Sequence, residues 1–181
     1  MENYKKNWFK YITLFVACFL IRLIPFRSPN IEPILTTQMP FAKRHGKLAG
    51  FSFGFLSIIL YDLSVGQVGV WTFVTSITYG LIGIWAGFYF RNRNGSKSDY
   101  VKFAVISTLL FDIVTGLSIG PIFYGQSFVE AVVGQIPFTA LHLLGNISFA
   151  YLLSPVIYNF VTSNKKSEIP FLFKILNYKH I

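Results

Sequence analysis

The sequence predicts an all-α integral membrane protein, a six-transmembrane-helix bundle with its N and C termini cytoplasmic. Composition, the spacing of apolar runs and the placement of Lys and Arg lead to that reading. Hydrophobic residues make up 53% of the 181 positions and charged residues only 13%, and the mean hydropathy is positive, so lipid is the natural solvent. A helical span takes roughly 20 apolar residues, because the hydrocarbon core is about 30 Å thick and a helix rises about 1.5 Å per residue. The chain has room for about six.

The first apolar run covers 8–24, stops at Pro25, and places Trp8 and Tyr11 where aromatic residues anchor at an interface. Lys5, Lys6 and Lys10 ahead of Val16-Ala17-Cys18 imitate a leader with a cleavage site, but the run continues to Leu23 and predicts an uncleaved helix. The connection 25–33 carries three prolines and resists helix, since each removes a donor and restricts its predecessor. Residues 34–42 are moderately apolar and lead into a basic turn of Lys43, Arg44, His45 and Lys47. The third run, 48–63, carries Gly50 and Gly54 at the spacing that lets helices approach closely in lipid. The fourth, 70–90, has a similar stripe of Ser76, Gly80, Gly83 and Gly87. A polar turn at 91–99 precedes the fifth run at 101–115, and 116–126 reads as a glycine-rich loop. The last apolar stretch, 128–161, is long enough for one tilted span plus a surface turn and includes Pro137 and Pro155. Residues 1–162 therefore form the membrane domain, and 163–181 a basic cytoplasmic tail.

Charge tests that topology. With six crossings starting inside, 14 of the 16 basic residues fall on the cytoplasmic side, the exceptions being Arg22 and Arg27. The count requires the short stretch between Asn30 and Ala42 to cross, because five crossings would place one set of basic loops outside. The net charge of +9 is thus an orientation signal spread between apolar runs, which argues against a nucleic-acid partner. The expected location is the cell membrane, crossed several times.

Two segments 50 residues apart resemble each other: Ser57-Ile-Ile-Leu-Tyr-Asp62-Leu-Ser-Val-Gly66 and Ser107-Thr-Leu-Leu-Phe-Asp112-Ile-Val-Thr-Gly116. Both put an Asp near the outer end of a helix and a Gly four residues later. Internal duplication is common in transport proteins.

Ionisable side chains in or near a membrane are costly and so mark functional candidates. Six crossings gather Arg22, Arg27, Glu32, Asp62, Asp112 and Glu130 at the outer end. On the last span Gln135, Thr139, His142 and Asn146 follow helical spacing and share a face. They serve either as interhelical hydrogen-bond glue or as the lining of a ligand cavity. Trp71, Thr75, Thr78 and Trp85 make a comparable face on the fourth run, where an indole can stack on a flat ligand.

Enzyme and cofactor signatures are scarce. No Gly-rich phosphate loop and no His-Glu-x-x-His helix occurs. The two Gly-x-Ser-x-Gly matches, Gly50-Phe-Ser-Phe-Gly54 inside the third apolar run and Gly116-Leu-Ser-Ile-Gly120 after the fifth, do not follow a strand as a nucleophile elbow requires. His45, His142 and His180 fall in different regions, and Cys18 is the single cysteine, which leaves neither a disulfide nor an expected metal site. The expectation is a non-enzyme without a cofactor.

The pattern resembles the substrate-binding S component of energy-coupling factor (ECF) vitamin transporters. The likeness rests on chain size, six spans with both ends inside, Pro29-Asn-Ile-Glu-Pro-Ile34 after the first span, and the Asp-x-x-x-Gly helix ends at Asp62 and Asp112. It implies a membrane-embedded receptor for a small vitamin-like ligand near the outer surface, closed over by the loop after the first span. It also implies association with a transmembrane coupling subunit and two cytoplasmic ATPases. Family members often carry Ala-x-x-x-Ala on the first helix for that docking, where this chain has Thr13 and Ala17. The expected ligand contacts are Asn30, Glu32, Gln38, Trp71, Gln135, His142 and Asn146, with Asp62 and Asp112 shaping the outer loops. Two other classes fit the same layout: a non-transporting membrane scaffold similar to a cell-shape factor, and an intramembrane enzyme using Asp62, Asp112 or His142 as acid or base.

Overall fold

The computed structural model describes residues 2–24 and 32–163, with side chains from Phe9 onward in the first segment. Asn30, Arg27 and the tail after Ser163 lie outside the described residues, as do the side chains of Lys5, Lys6 and Trp8. The described residues form eight helices and no strand: α1 (Glu2–Arg22), α2 (Ile34–His45), α3 (Lys47–Ser64), α4 (Val70–Tyr89), α5 (Lys97–Gly116), α6 (Ile119–Phe123), α7 (Phe128–Leu152) and α8 (Ser154–Thr162). Four stretches are long and apolar enough to cross a bilayer, namely α3, α4, Lys97–Phe123 and α7. The 12 residues of α2 rise about 18 Å, short of a hydrocarbon core of about 30 Å.

The short helix is the axis of the bundle. Every residue from Ile34 to Ala42 is buried, and α2 touches α1, α3, α4, α5, α7 and α8. A helix enclosed on all sides shows no amphipathic stripe, and this one looks only moderately apolar in sequence because Thr36, Thr37 and Gln38 are buried within it. Pro40 interrupts its backbone ladder by removing the N–H that would reach the Thr36 carbonyl. The Ser154 hydroxyl donates to that carbonyl at 2.9 Å instead, tying α8 to α2.

Glycines hold α3 against α4. A Cβ on Gly50 would stand 2.5 Å from the Gly83 carbonyl oxygen, and one on Gly54 would stand 2.8 Å from the Tyr79 carbonyl oxygen. Only hydrogen fits at such separations, so backbone meets backbone along the seam. Gln38 is wedged beside it, its Nε2 donating to the carbonyls of Gly50 at 2.9 Å and Tyr79 at 2.7 Å.

The duplicated segments play matching parts. Ser57 donates to the Phe53 carbonyl at 2.6 Å and Ser107 to the Phe103 carbonyl at 2.7 Å, and both phenylalanines and both Asp residues are buried. Phe53 packs with Tyr11, Phe15 and Phe41, and Phe103 with Trp85, Tyr89 and Phe90.

Boundaries shift where caps decide them. The expected basic turn is helical as far as His45, and the chain reverses at Gly46 alone, whose φ of 89° is accessible to glycine. α5 starts four residues earlier than expected, because Ser96 and Asp99 form a reciprocal capping box. The loop 116–126 contains the one-turn helix α6. Beyond α7 the chain makes a second helix rather than a surface turn. Pro155 lies in its first turn, and Ser154 and Val161 are buried. At that end Lys10 donates to the Phe160 carbonyl at 2.7 Å and Lys43 donates to the Arg93 carbonyl. Basic residues there complete helix ends as well as carrying charge.

Candidate functional site

A cavity of about 470 Å³ opens at the opposite end of the bundle, within the size range of small-molecule sites. Successive helical turns build its walls. α3 contributes Ile58 and Asp62, and α4 contributes Trp71, Thr75 and Tyr79, each one turn after the last. α5 adds Phe111, Thr115 and Gly116, α6 adds Ile119, and α7 adds Gln135, Phe138 and His142. Arg22 at the end of α1 and Glu32 just before α2 complete the rim.

The rim is a charged network. Arg22 Nε lies 2.9 Å from Glu32 Oε2, without its N–H aligned on that oxygen, and Nη1 donates to the Ser57 carbonyl at 2.6 Å. The guanidinium lies over the Tyr61 ring at 4.0 Å, and the Tyr79 hydroxyl donates to Glu32 Oε1 at 3.2 Å. On the α4 side, Thr72 donates to Asp62 Oδ2 at 2.6 Å while its oxygen accepts from the Gly69 N–H at 3.1 Å. Asp62 thereby fixes the start of α4. Trp71 stands at the mouth, 40% exposed, its indole N–H donating to the Gln67 carbonyl at 3.1 Å.

The inner end is aromatic, with one polar face. His142 is buried between Phe111 and Phe138, whose centroids lie 5.7 and 5.8 Å away with both rings edge-on. Its Nδ1 is 2.7 Å from Asp112 Oδ1, while Nε2 is buried without a partner. One turn deeper, Asn146 donates to the Thr108 hydroxyl at 2.8 Å. The arrangement can hold a flat ring between aromatic side chains and meet hydroxyl or amide groups with Thr, Gln, His and carboxylate partners.

The family model of the ECF-type riboflavin transporter S component matches residues 11–114. The chain belongs to this family. This S component is accordingly a multi-pass membrane protein. No curated protein and no solved structure matches it. The matched region takes in most of α1 and all of α2 to α4, together with nearly all of α5. Gln135, Phe138 and His142 therefore come from beyond it.

Within the S component, Glu32, Trp71, Gln135 and His142 line one cavity. Two other expected contacts lie elsewhere. Gln38 is held in the α3/α4 seam by two carbonyls, and Asn146 is bonded to α5 below the cavity. Among the outer residues, Arg22 and Asp62 line the cavity. Asp112 turns to α7 instead of the loop, and Glu130 pairs with Ser127 as the capping box of α7. Thr78 and Trp85 border a separate small groove against α5, and Thr139 accepts from Gln135 at 3.1 Å. Tyr79 and Phe138 were not anticipated, although Tyr79 continues the four-residue spacing of Trp71 and Thr75.

Proposed function

We propose that this chain is the substrate-binding subunit of an ECF-type importer and that it captures riboflavin, or a flavin closely related to it, in the cavity between α3, α4, α5 and α7. The observation that carries the reading is that cavity's division into an aromatic inner end and a polar rim, in a member of this family. An isoalloxazine is flat and largely apolar, and a ribityl chain is a row of hydroxyls. The inner slot suits the first, and Arg22, Glu32, Asp62 and Thr75 at the rim suit the second.

In this reading the chain crosses the cytoplasmic membrane six times with both termini inside, and the cavity opens outward. A coupling subunit and two ATPases power release to the cytoplasm. Thr13 and Ala17 share an exposed face of α1 with Phe9, Val16 and Leu20, which is available for docking. The chain binds its ligand without altering it, and Asp112 and His142 serve recognition.

The test is mass spectrometry of small molecules released from the purified protein, followed by thermal stabilisation against a vitamin panel. Copurified flavin and a riboflavin-dependent rise in melting temperature are expected. Absence of bound flavin together with no stabilisation by riboflavin would count against the proposal.

A further inference from the structure

Within the flavin-binding reading, the geometry points to His142, oriented by Asp112, as the residue that selects the ligand's imide edge through an N–H donor. With the imidazole neutral, the Asp112 carboxylate 2.7 Å away accepts from Nδ1, which holds the ring proton there and leaves Nε2 as an acceptor. That acceptor is buried and unpartnered in a ring that lines the cavity, and an unmet polar atom in such a setting is costly until a ligand satisfies it. Position decides which donor it meets. His142 lies two turns deeper along α7 than Gln135, and Phe111 and Phe138, which meet it edge-on, line the same cavity, so the imidazole is a polar group among aromatic walls. A flat ring entering edge-first brings its in-plane N–H toward that imidazole. The N–H of an oxidised isoalloxazine is the N3 imide proton, and it lies in the ring plane at that edge. Ribityl hydroxyls stay at the rim, where Thr75, Asp62 and Glu32 offer partners.

Asp112 is a positioning residue that acts through His142. Asp112→Asn would let the amide N–H₂ donate to Nδ1, moving the ring proton to Nε2 and turning the acceptor into a donor that repels an N–H. His142 lies beyond the segment the family model matches, whereas Asp112 and Phe111 lie within it, so the pair joins α7 to the matched helices.

The full-length protein in nanodiscs is titrated with riboflavin and with N3-methylriboflavin by flavin fluorescence. The wild type is expected to bind the methylated flavin about tenfold more weakly or worse, the cost of losing one hydrogen bond to a buried acceptor. His142→Phe should bring that ratio toward unity, and Asp112→Asn should weaken riboflavin more than its methylated form. The wild-type ratio needs no variant to fold. Equal wild-type affinity for the two flavins overturns this assignment and leaves flavin binding standing, as does a ratio unchanged in both variants. Failure of either flavin to bind overturns the proposed function, and the assignment with it.

Discussion

Arg22 is almost enclosed, at 7% exposure, and a guanidinium in that position has to be matched. It meets Glu32 at 2.9 Å, the Ser57 carbonyl at 2.6 Å and the face of Tyr61. Removing one partner of a buried pair strands the other charge, which typically costs about 3–5 kcal/mol, whereas replacing both can be nearly neutral. Glu32→Gln and Arg22→Met should therefore each lower the melting temperature sharply, with the double variant recovering much of the loss. Thermal unfolding of the four proteins in detergent measures the coupling. Strictly additive losses would show that the two side chains act independently.

At the scale of elements, α2 is held in the middle of the bundle by bonds that compensate for its own irregularity. Pro40 frees the Thr36 carbonyl and Ser154 satisfies it. Ser154→Ala should cost about 1–3 kcal/mol, because a buried carbonyl loses its partner. In a Pro40→Ala background, where a backbone N–H returns to that carbonyl, the same substitution should cost little. Melting temperatures of the two pairs decide it, and equal losses in both backgrounds would refute the compensation. Helices α3, α4 and α5 were legible in the sequence because their apolar runs and glycine stripes report on lipid and close packing. α8 was not, since its partners are Thr36 and Lys10, residues more than a hundred positions away. The cavity was half legible for a related reason. Periodicity put Trp71 with Thr75 and Gln135 with His142, but helix rotation decided that Tyr79 and Phe138 complete those faces and that Gln38 and Asn146 serve packing.

For the whole molecule, the described basic residues other than Arg22 lie at the end opposite the rim of Glu32 and Asp62, and the proposed orientation follows from that division. Cys18 is the sole cysteine, so Cys18→Ala provides a background for single-cysteine labelling. Gln67→Cys, between α3 and α4, should react with an impermeant thiol reagent added to intact cells. Asn94→Cys, between α4 and α5, should react only after permeabilisation. The reverse pattern would invert the topology and place the cavity on the cytoplasmic side.

The most direct measurement is a riboflavin titration of the wild type beside Thr75→Trp, which fills the cavity from a half-buried position without removing a buried charge. One flavin bound per chain in the wild type and no measurable binding in the variant, with melting temperatures close together, is the expected result. Equal binding by both proteins would contradict the placement of the ligand in this cavity.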